Sequence, residues 1–450
     1  MPEELVLAVD QGTSSTKCLL VDGRGVVIRE ASAEVPIRYP RPGWVEQDAG
    51  EILDSVLTAA AGCLRGERVT AVGLSSQRES AVIWDRRSGE PLGPVLGWQD
   101  QRAVSVCDKL RGDEARIRAI SGLPLDPMFS AAKFRWLLDG HPGALVGTVD
   151  SWLLYALTGA HQIEVGNASR TQLLDVRSRQ WSSELLDLFE IPASALPTVT
   201  PSNGDLGRIG ERGGVLEGLP IRAVLGDSHA ALYAHGAAAE GGVKVTYGTG
   251  SSVMRLGEAA GVGLTVAWND RLAAEGNIRS SGATVAWLAS FLGLSPEQIG
   301  QMAATASSDG VLLVPGFGGL AAPWWDDAAV GLISGLTLGT RPPQLARAAV
   351  ESIAHQVADV VDAMGGAARV LADGGASGND TLMQIQADLT GLVVRRARTA
   401  TLSALGVAFL AGGLTPAVTY DEFTPSVDAA DARSAWRDAV RRALSRKESR

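Results

Sequence analysis

Apolar runs of strand length alternate with longer amphipathic stretches along this chain. Leu345, Ala349, Ile353 and Val357 recur every four residues, which places them on one face of a helix. Short apolar runs bounded by glycine and polar residues are typical of strands. The alternation of the two patterns predicts an α/β fold. We expect helices at 48–65, 114–120, 130–138, 344–364, 381–390 and 429–450, and strands at 69–74, 222–225, 243–247, 311–315 and 369–372.

Two turns of similar sequence lie about half a chain apart, and each follows an apolar run. The segment 10–17 (DQGTSSTK) follows the run 5–9, and the segment 247–252 (YGTGSS) follows 243–245. Glycine permits a sharp turn and a close approach to a ligand, and hydroxyl side chains add donors, so such a hairpin can hold a phosphate. Either turn alone is more typical of an ordinary Gly/Ser hairpin. Because the residue order repeats, we predict a duplicated fold with a nucleotide between its halves.

Composition narrows the class of protein. A chain of 450 residues with 46% apolar content has enough material for two hydrophobic cores. No run approaches the roughly 20 apolar residues of a membrane span, and the first four residues (MPEE) carry acids where a signal peptide carries bases, so we expect a cytoplasmic protein without a membrane partner. A net charge of −10 without a long basic run argues against nucleic acid as a partner. Cys18, Cys63 and Cys107 lack the spacing of a disulfide framework or zinc site, and we expect them in the core.

Further short motifs follow one another between residues 7 and 410: GWVEQD at 43–48, SQRES at 76–80, WQDQR at 98–102, LPLDPMFS at 123–130, DSWL at 150–153, NASRT at 167–171, GDSHAA at 226–231, APWWD at 322–326, ESIA at 351–354 and DGGASGN at 373–379. Their order resembles the FGGY carbohydrate kinases, and within that family it is most similar to glycerol kinase. The resemblance implies two α/β domains of the actin-like ATPase (ribonuclease H-like) fold with an interdomain cleft. The expected domains are 1–235, with the substrate site and one phosphate hairpin, and 236–450, with the nucleotide site.

Asp227 is the candidate catalytic base. It follows the apolar run 223–225 and Gly226, so its side chain emerges at a strand end, where a carboxylate can take the proton of an attacking hydroxyl. The local sequence is equally compatible with a cap of a helix over 230–239. The resemblance favours the base, because the matching aspartate has that role in the family.

Asp10 is the candidate metal ligand. Its position at the end of the first predicted strand is, by local sequence, more typical of a turn-initiating aspartate. The resemblance implies instead that it holds the Mg²⁺ of bound ATP, usually through water.

The candidate substrate site begins with Arg78 and Glu79, an adjacent pair of opposite charges after the strand 69–74. Charged residues in a loop are usually solvated. In glycerol kinase the matching pair hydrogen-bonds the substrate hydroxyls, which suits a donor fork and acceptor oxygens. The resemblance also implies that Trp98 forms an apolar wall of the pocket, and it places Met128, Asp227 and Ser228 in contact with substrate.

A glycine-rich strand-to-helix turn at 374–379 exposes backbone N–H groups to a base or a phosphate. The resemblance implies an ATP/ADP site. The residues expected to contact the nucleotide are Gly12, Thr13, Ser14, Gly248, Thr249, Gly282, Gly375 and Asn379.

Several pocket positions depart from glycerol kinase. Met128 stands for a tyrosine, Ser228 for a glutamine and Ser252 for an aromatic residue, while Ala286 replaces a glutamine on the nucleotide side. A three-carbon polyol would be held less closely, so a longer polyol or a ketose becomes plausible.

The sequence therefore predicts an ATP-dependent kinase of a small polyol or sugar, with ATP and Mg²⁺ as cofactors. Glycerol, giving glycerol 3-phosphate, is the first expected substrate, and a four- to five-carbon polyol or ketose such as xylulose is the alternative. A catalytically silent actin-like nucleotide-binding regulator is the alternative from another class. The joint presence of Arg78, Glu79, Trp98 and Asp227 argues against it, since a regulator needs no polyol pocket. The resemblance is compatible with a homodimer or a homotetramer.

Overall fold

The computed structural model describes residues 5–445, which form two compact units. The first contains 5–236, 263–272 and 401–417, and the second contains 237–262, 273–400 and 418–445. The sequence predicted one division at 235/236. The units interleave along the chain because two later segments pack with the first one.

The sheet of the first unit has five strands in the order β5-β4-β1-β2-β3. Strands β1, β2 and β3 are antiparallel neighbours, whereas β4 is parallel to β1 and β5 is parallel to β4. The central strand β1 is almost entirely buried, as its apolar sequence predicts. The strands are β1 (Leu5–Gln11), β2 (Ser15–Val21), β3 (Val27–Glu34), β4 (Val69–Ser76) and β5 (Ile221–Gly226).

The sheet of the second unit repeats this topology. Six of its seven strands lie in the order β8-β7-β6-β9-β10-β11, with β6, β7 and β8 antiparallel and with β9 and β10 continuing in parallel from β6. The seventh strand, Gly263–Trp268, comes before β8 in this order. The β1–β2 and β6–β7 hairpins therefore occupy the same place in the two sheets, which confirms the predicted duplication. The strands are β6 (Gly242–Tyr247), β7 (Ser251–Leu256), β8 (Arg271–Ile278), β9 (Arg369–Asp373), β10 (Val394–Ala397) and β11 (Tyr420–Phe423).

The α-helices of the described chain are α1 (Ala49–Cys63), α2 (Val104–Lys109), α3 (Glu114–Ser121), α4 (Ser130–Leu138), α5 (Val149–Thr158), α6 (Val165–Ser169), α7 (Ser183–Leu188), α8 (Asp227–Ala234), α9 (Gly282–Leu292), α10 (Pro296–Thr305), α11 (Pro342–Ala363), α12 (Asp380–Thr390), α13 (Leu402–Gly412) and α14 (Ala430–Ala443). The predicted helix at 130–138 is confirmed to the residue. The predicted helix at 429–450 is found as α14, and residues 446–450 lie outside the described residues.

Short strands outside the two large sheets complete the two units: Glu46–Gln47, Val82–Trp84, Val95–Leu96, Leu145–Gly147, Gln162–Glu164, Leu174–Asp175, Gln180–Trp181, Thr198–Thr200, Leu312–Val314 and Leu332–Ser334. Cys18, Cys63 and Cys107 are free and buried, as expected. No helix within residues 5–445 has the length and apolar character to cross a membrane.

Helix α13 explains why a late segment belongs to the first unit. Its backbone lies directly against α8, so that a Cβ on Gly406 would stand 1.8 Å from the Ala230 carbonyl oxygen. On the other side, a Cβ on Gly73 of β4 would lie 2.7 Å from the Val407 carbonyl oxygen. Only glycine permits such close backbone packing. Helix α13 is thus fixed against the sheet of the first unit.

The helix predicted at 230–239 is wrong in its bounds. Helix α8 begins at Asp227 and ends at Ala234, and a separate 3-10 turn covers Gly236–Ala239. Gly236 adopts a φ of 53°, which interrupts the right-handed helix. The revised start places Asp227 inside the first turn of α8.

Candidate active site

The β1–β2 turn holds the first set of predicted nucleotide contacts. The Gly12 N–H donates to the Ser15 carbonyl at 2.9 Å, which closes the turn. Thr13 is half-buried, whereas Ser14 is exposed. The turn is thus rigid at its base and open at its tip, as a phosphate-binding hairpin requires.

Trp98 contacts this turn. Its indole Nε1 donates to the Thr13 hydroxyl oxygen at 3.2 Å, and Gln47 Nε2 donates to the Thr13 carbonyl at 2.8 Å. The structure therefore brings a predicted substrate-wall residue and a predicted nucleotide contact side by side.

Three buried glutamines fix the loops behind the turn, and the sequence analysis missed them. Gln77 Nε2 donates to Gln11 Oε1 at 3.1 Å and to Gln47 Oε1 at 3.0 Å. Ser80 Oγ donates to Gln77 Oε1 at 2.8 Å. The network ties the end of β1 to the loop that follows β4. Its signal in the sequence is one glutamine in each of three separate motifs.

Asp10 is half-buried at the end of β1 and accepts a hydrogen bond from Ser75 Oγ at 2.9 Å. Burial raises the pKa of its carboxyl to about 6, and the nearby charge of Asp227 adds to this, against the opposing effects of the Ser75 hydrogen bond and Lys17. A bound cation would stabilise the ionised form. No group of three or more carboxylate, histidine or cysteine side chains within residues 5–445 could cage a metal. A single carboxylate fits a Mg²⁺ whose other ligands are phosphates and water.

Arg78, Glu79 and Asp227 lie together at the carboxyl ends of β4 and β5. Arg78 Nε is 3.4 Å from Asp227 Oδ1 and 3.9 Å from Glu79 Oε1. The side chains of Arg78 and Glu79 are each 7% exposed, so these two charged residues are not solvated, although they lie in a loop. The side chain of Asp227 is 37% exposed. A Cβ on Gly226 would lie 2.5 Å from Arg78 Cδ, hence the glycine makes room for the guanidinium stem.

Glu79 is held in an uncommon backbone conformation. Its φ is 63°, in the left-handed region that non-glycine residues rarely adopt. Ser130 Oγ at the start of α4 donates to its carbonyl at 3.0 Å. Arg170 Nε, just beyond α6, donates to Glu79 Oε1 at 2.5 Å. Arg170 lies in the NASRT motif, and no local sequence pattern indicated its contact with Glu79.

Asp227 is the first residue of α8, and Gly226 occupies the N-cap position. The aspartate accepts a hydrogen bond from the N–H of the next residue, Ser228, at 2.6 Å. An N-cap side chain instead lies before the helix and accepts from the second or third N–H. The structure thus places Asp227 one residue after the N-cap position, in the first turn of α8.

Met128 and Ser228 are both half-buried. The Met128 N–H donates to Asp126 Oδ1 at 2.8 Å. Its carbonyl accepts from Nζ of Lys133, which is fully buried in α4 and also donates to the Pro127 carbonyl at 3.3 Å. Burial lowers the pKa of Lys133 to about 8. The segment that carries Met128 is thus anchored to α4.

In the second unit, the β6–β7 turn lies against the start of α9. The Gly282 N–H donates to the Gly248 carbonyl and the Ser281 N–H to the Thr249 carbonyl, each at 2.9 Å. A Cβ on Gly282 would stand 2.8 Å from the Gly248 oxygen. Gly248, Thr249 and Gly282 therefore form one local cluster, and the Thr249 side chain is exposed.

The glycine-rich turn after β9 forms a short 3-10 helix, Gly375–Gly378. Gly375 is exposed, and a Cβ there would meet no atom within 4 Å. Asn379 caps α12, because its side-chain oxygen accepts from the Leu382 N–H at 3.1 Å. Its amide nitrogen is the part of the side chain that can act as a donor to a ligand.

Two of the divergent positions also lie in the second unit. Ser252 Oγ on β7 is 3.3 Å from Glu275 Oε1. Ala286 is exposed on α9, one turn beyond Gly282. Neither carries a side chain that could replace the aromatic residue or the glutamine of glycerol kinase.

The chain is similar in sequence to known carbohydrate kinases. Residues 5–234 match the N-terminal domain, and 243–413 the C-terminal domain, of the FGGY family of carbohydrate kinases. The chain is 42% identical to the apulose kinase of Pectobacterium atrosepticum over 441 residues, covering 91% of this chain and 89% of that protein. It is 41% identical to the glycerol kinase of Burkholderia multivorans over 450 residues, covering 92% and 89%.

The fold is similar to that of a solved glycerol kinase. The crystal structure of Plasmodium falciparum glycerol kinase with ADP superimposes with a TM-score of 0.89 at 27% identity, covering 99% of each chain. Sequence and fold thus agree along nearly the whole chain, and the chain belongs to the FGGY carbohydrate kinases as an ATP-dependent phosphotransferase with a sugar or polyol alcohol as acceptor.

Proposed function

We propose that this kinase phosphorylates a terminal hydroxyl of a small polyol, with glycerol as the first candidate acceptor and glycerol 3-phosphate as the product. The observation that supports this most is the cluster of Arg78, Glu79 and Asp227. It combines donors, an acceptor and a base within one mostly buried group.

In this proposal Asp227 accepts the proton of the attacking hydroxyl. Arg78 Nε is 3.4 Å from Asp227 Oδ1, so its positive charge holds the carboxylate in place. The guanidinium N–H groups can also donate to a hydroxyl oxygen of the substrate. Glu79 accepts from neighbouring hydroxyls, while Trp98, Met128 and Ser228 line the pocket. General-base assistance of this kind contributes about 10²–10⁴-fold to the rate.

ATP is assigned to the glycine-rich turns. The predicted contacts in the first unit are Gly12, Thr13 and Ser14, and those in the second unit are Gly248, Thr249, Gly282, Gly375 and Asn379. Asp10 is proposed to hold a Mg²⁺ through water, and this ion would neutralise charge on the transferred phosphoryl group.

A four- or five-carbon polyol or ketose, such as xylulose, is the second candidate acceptor. Met128 and Ser228 are smaller or less complementary than the tyrosine and glutamine of glycerol kinase, which favours a longer substrate. The similarity to an apulose kinase, a ketose kinase by name, is as high as the similarity to glycerol kinases.

The deciding experiment is ADP release, coupled to an indicator reaction, over a panel of acceptors with Mg²⁺-ATP. The panel contains glycerol, erythritol, xylitol, ribulose, xylulose and apulose. The highest kcat/KM on glycerol supports the first candidate, and the highest value on a longer compound supports the second. The absence of turnover on every member would contradict the proposed substrate class.

The oligomeric state is proposed on the family resemblance, and the compartment on the sequence features described above. We expect a homodimer or homotetramer in the cytoplasm. Sedimentation equilibrium of the purified chain tests the first, and fractionation of its native cells tests the second.

A further inference from the structure

Arg170 is a buried cation that contacts a substrate-site residue from behind. It follows α6, it is 1% exposed, and its Nε donates to Glu79 Oε1 at 2.5 Å. Its guanidinium carbon also lies 5.1 Å from the centre of the Phe129 ring, immediately before α4. Arg170 thus contacts both the Glu79 loop and the segment that carries Met128.

Glu79 is fixed from outside its own loop at both of its ends. Arg170 holds the carboxylate, and Ser130 Oγ holds the main-chain carbonyl at 3.0 Å. A left-handed conformation of a non-glycine residue is strained and persists only when the surroundings impose it. Within the loop the Ser80 N–H donates to the Arg78 carbonyl at 2.8 Å, and the two contacts from outside add to this constraint.

The same oxygen of Glu79 meets two guanidinium groups. Oε1 accepts from Arg170 Nε and lies 3.9 Å from Arg78 Nε. A planar carboxylate held at one oxygen has its second oxygen fixed in direction as well.

We propose that Arg170 is a positioning residue: it engages Glu79 Oε1 so that Glu79 Oε2 is presented to the hydroxyls of the acceptor. This inference rests on the proposed function, in which Glu79 binds the acceptor. Arg170 acts through Glu79 and takes no part in proton or phosphoryl transfer.

The test is steady-state kinetics of Arg170→Gln and Arg170→Lys with the best acceptor of the panel. Misplacing a substrate-positioning group by about 1 Å can cost 10²-fold, so we expect Arg170→Gln to lower kcat/KM for the acceptor by about 10- to 100-fold, mainly through KM. KM for ATP should stay within about twofold of the parental value, because the substitution removes no contact to the nucleotide. Arg170→Lys keeps the positive charge but lacks the planar guanidinium, so its kcat/KM should fall between those of the parent and Arg170→Gln.

A double-mutant cycle with Glu79→Gln separates positioning from general destabilisation. If Arg170 acts through Glu79, adding Arg170→Gln to Glu79→Gln should change the acceptor KM by less than about threefold, because interacting sites are not additive. If Arg170 had only a structural role, its replacement would lower the thermal midpoint of both the parent and the Glu79→Gln protein. The ratio of the acceptor KM to the ATP KM would then stay unchanged. If Arg170→Gln is not recovered folded, Arg170→Lys and Ser130→Ala carry the test, since each loosens one of the two contacts to Glu79.

The inference is overturned if a folded Arg170 variant keeps the acceptor KM of the parent, or if the two substitutions add fully. In both cases the parent still phosphorylates an acceptor, so the proposed function stands. If the parent turns over no acceptor of the panel, the proposed function and this inference fail together.

Discussion

Arg78 Nε lies 3.4 Å from Asp227 Oδ1, although the two residues are far apart in the chain. The parallel pairing of β4 and β5 sets Ser76 beside Gly226, and the two side chains emerge just beyond this register. Because the carboxyl ends of parallel strands meet at one edge of a sheet, a charged group after each strand enters the same site.

Asp227→Asn should lower kcat by about two to four orders of magnitude, the range of a positioned general base. Asparagine keeps the size of the side chain and an oxygen that can accept from Ser228, so α8 should begin unchanged. Steady-state kinetics measure kcat, and calorimetric titration with ADP measures nucleotide binding, which should be nearly unchanged. Parental turnover in a folded variant would rule out Asp227 as the base.

Removal of the threonine hydroxyls should weaken nucleotide binding. The side chain of Thr249 is exposed in its turn, so Thr249→Val should raise the ADP dissociation constant roughly 10- to 160-fold, which corresponds to the loss of a hydrogen bond to a charged group. Thr249→Ser keeps the hydroxyl and should bind like the parent. Thr13→Val should also weaken ADP binding. It should raise the KM of the alcohol substrate as well, because the Trp98 N–H loses the hydroxyl oxygen to which it donates. ADP affinity unchanged in both valine variants would exclude the phosphate role of the two turns.

The divergent pocket residues should control acceptor length. Met128→Tyr combined with Ser228→Gln should shift the ratio of kcat/KM toward glycerol and away from longer acceptors. Each restored contact contributes about 1–3 kcal/mol of discrimination, so the ratio should change without abolishing either activity. Measurement of both proteins on the full panel decides this. If the parent already prefers glycerol to every longer compound, the wider pocket is the wrong explanation of these substitutions.

Gly226→Ala should impair the acceptor site without preventing folding. The new Cβ would stand 2.5 Å from Arg78 Cδ, so the arginine stem must move away from Asp227. A misplacement of this size can reduce kcat/KM by about 100-fold. Gly112→Ala is the control, because a Cβ there meets nothing within 4 Å. Parental kinetics of Gly226→Ala would mean that the position of Arg78 is not critical.

Glu164 should make the stability of the protein depend on pH. Burial raises the pKa of its carboxyl to about 8 from 4.5, while Ser202 Oγ and the Asn167 N–H donate to it. The folded state therefore binds a proton that the unfolded state has released, so this contribution is complete below about pH 4.5 and is lost as pH rises through about 8.

Glu164→Gln removes this titration, and its Tm should decline less steeply than that of the parent between pH 5 and 8.5. A change of 1 kcal/mol shifts Tm by roughly 1 °C in a chain of this length, and such a difference is measurable by calorimetry. Glu211→Gln at an exposed position is the control and should follow the parent. Parallel curves for the parent and Glu164→Gln would show that Glu164 is ionised in the folded protein.

The sequence by itself determined the local elements and the chemistry they carry. The helix at 130–138 and both hairpin turns follow from patterns within a few residues, namely apolar periodicity and glycine. The motifs were also enough to predict the family, because their residue types and their order can be read directly along the chain.

Only the tertiary structure decided which distant groups meet. Trp98 contacts Thr13 across 85 residues, and Arg170 contacts Glu79 across 91. Likewise α13 belongs to the first unit, although it lies after residue 400. These contacts depend on how the elements dock onto the sheet, and no local pattern encodes the distance between two side chains on separate elements. The bounds of α8 changed for the same reason, since the strand before it and Gly236 after it set where the helix begins and ends.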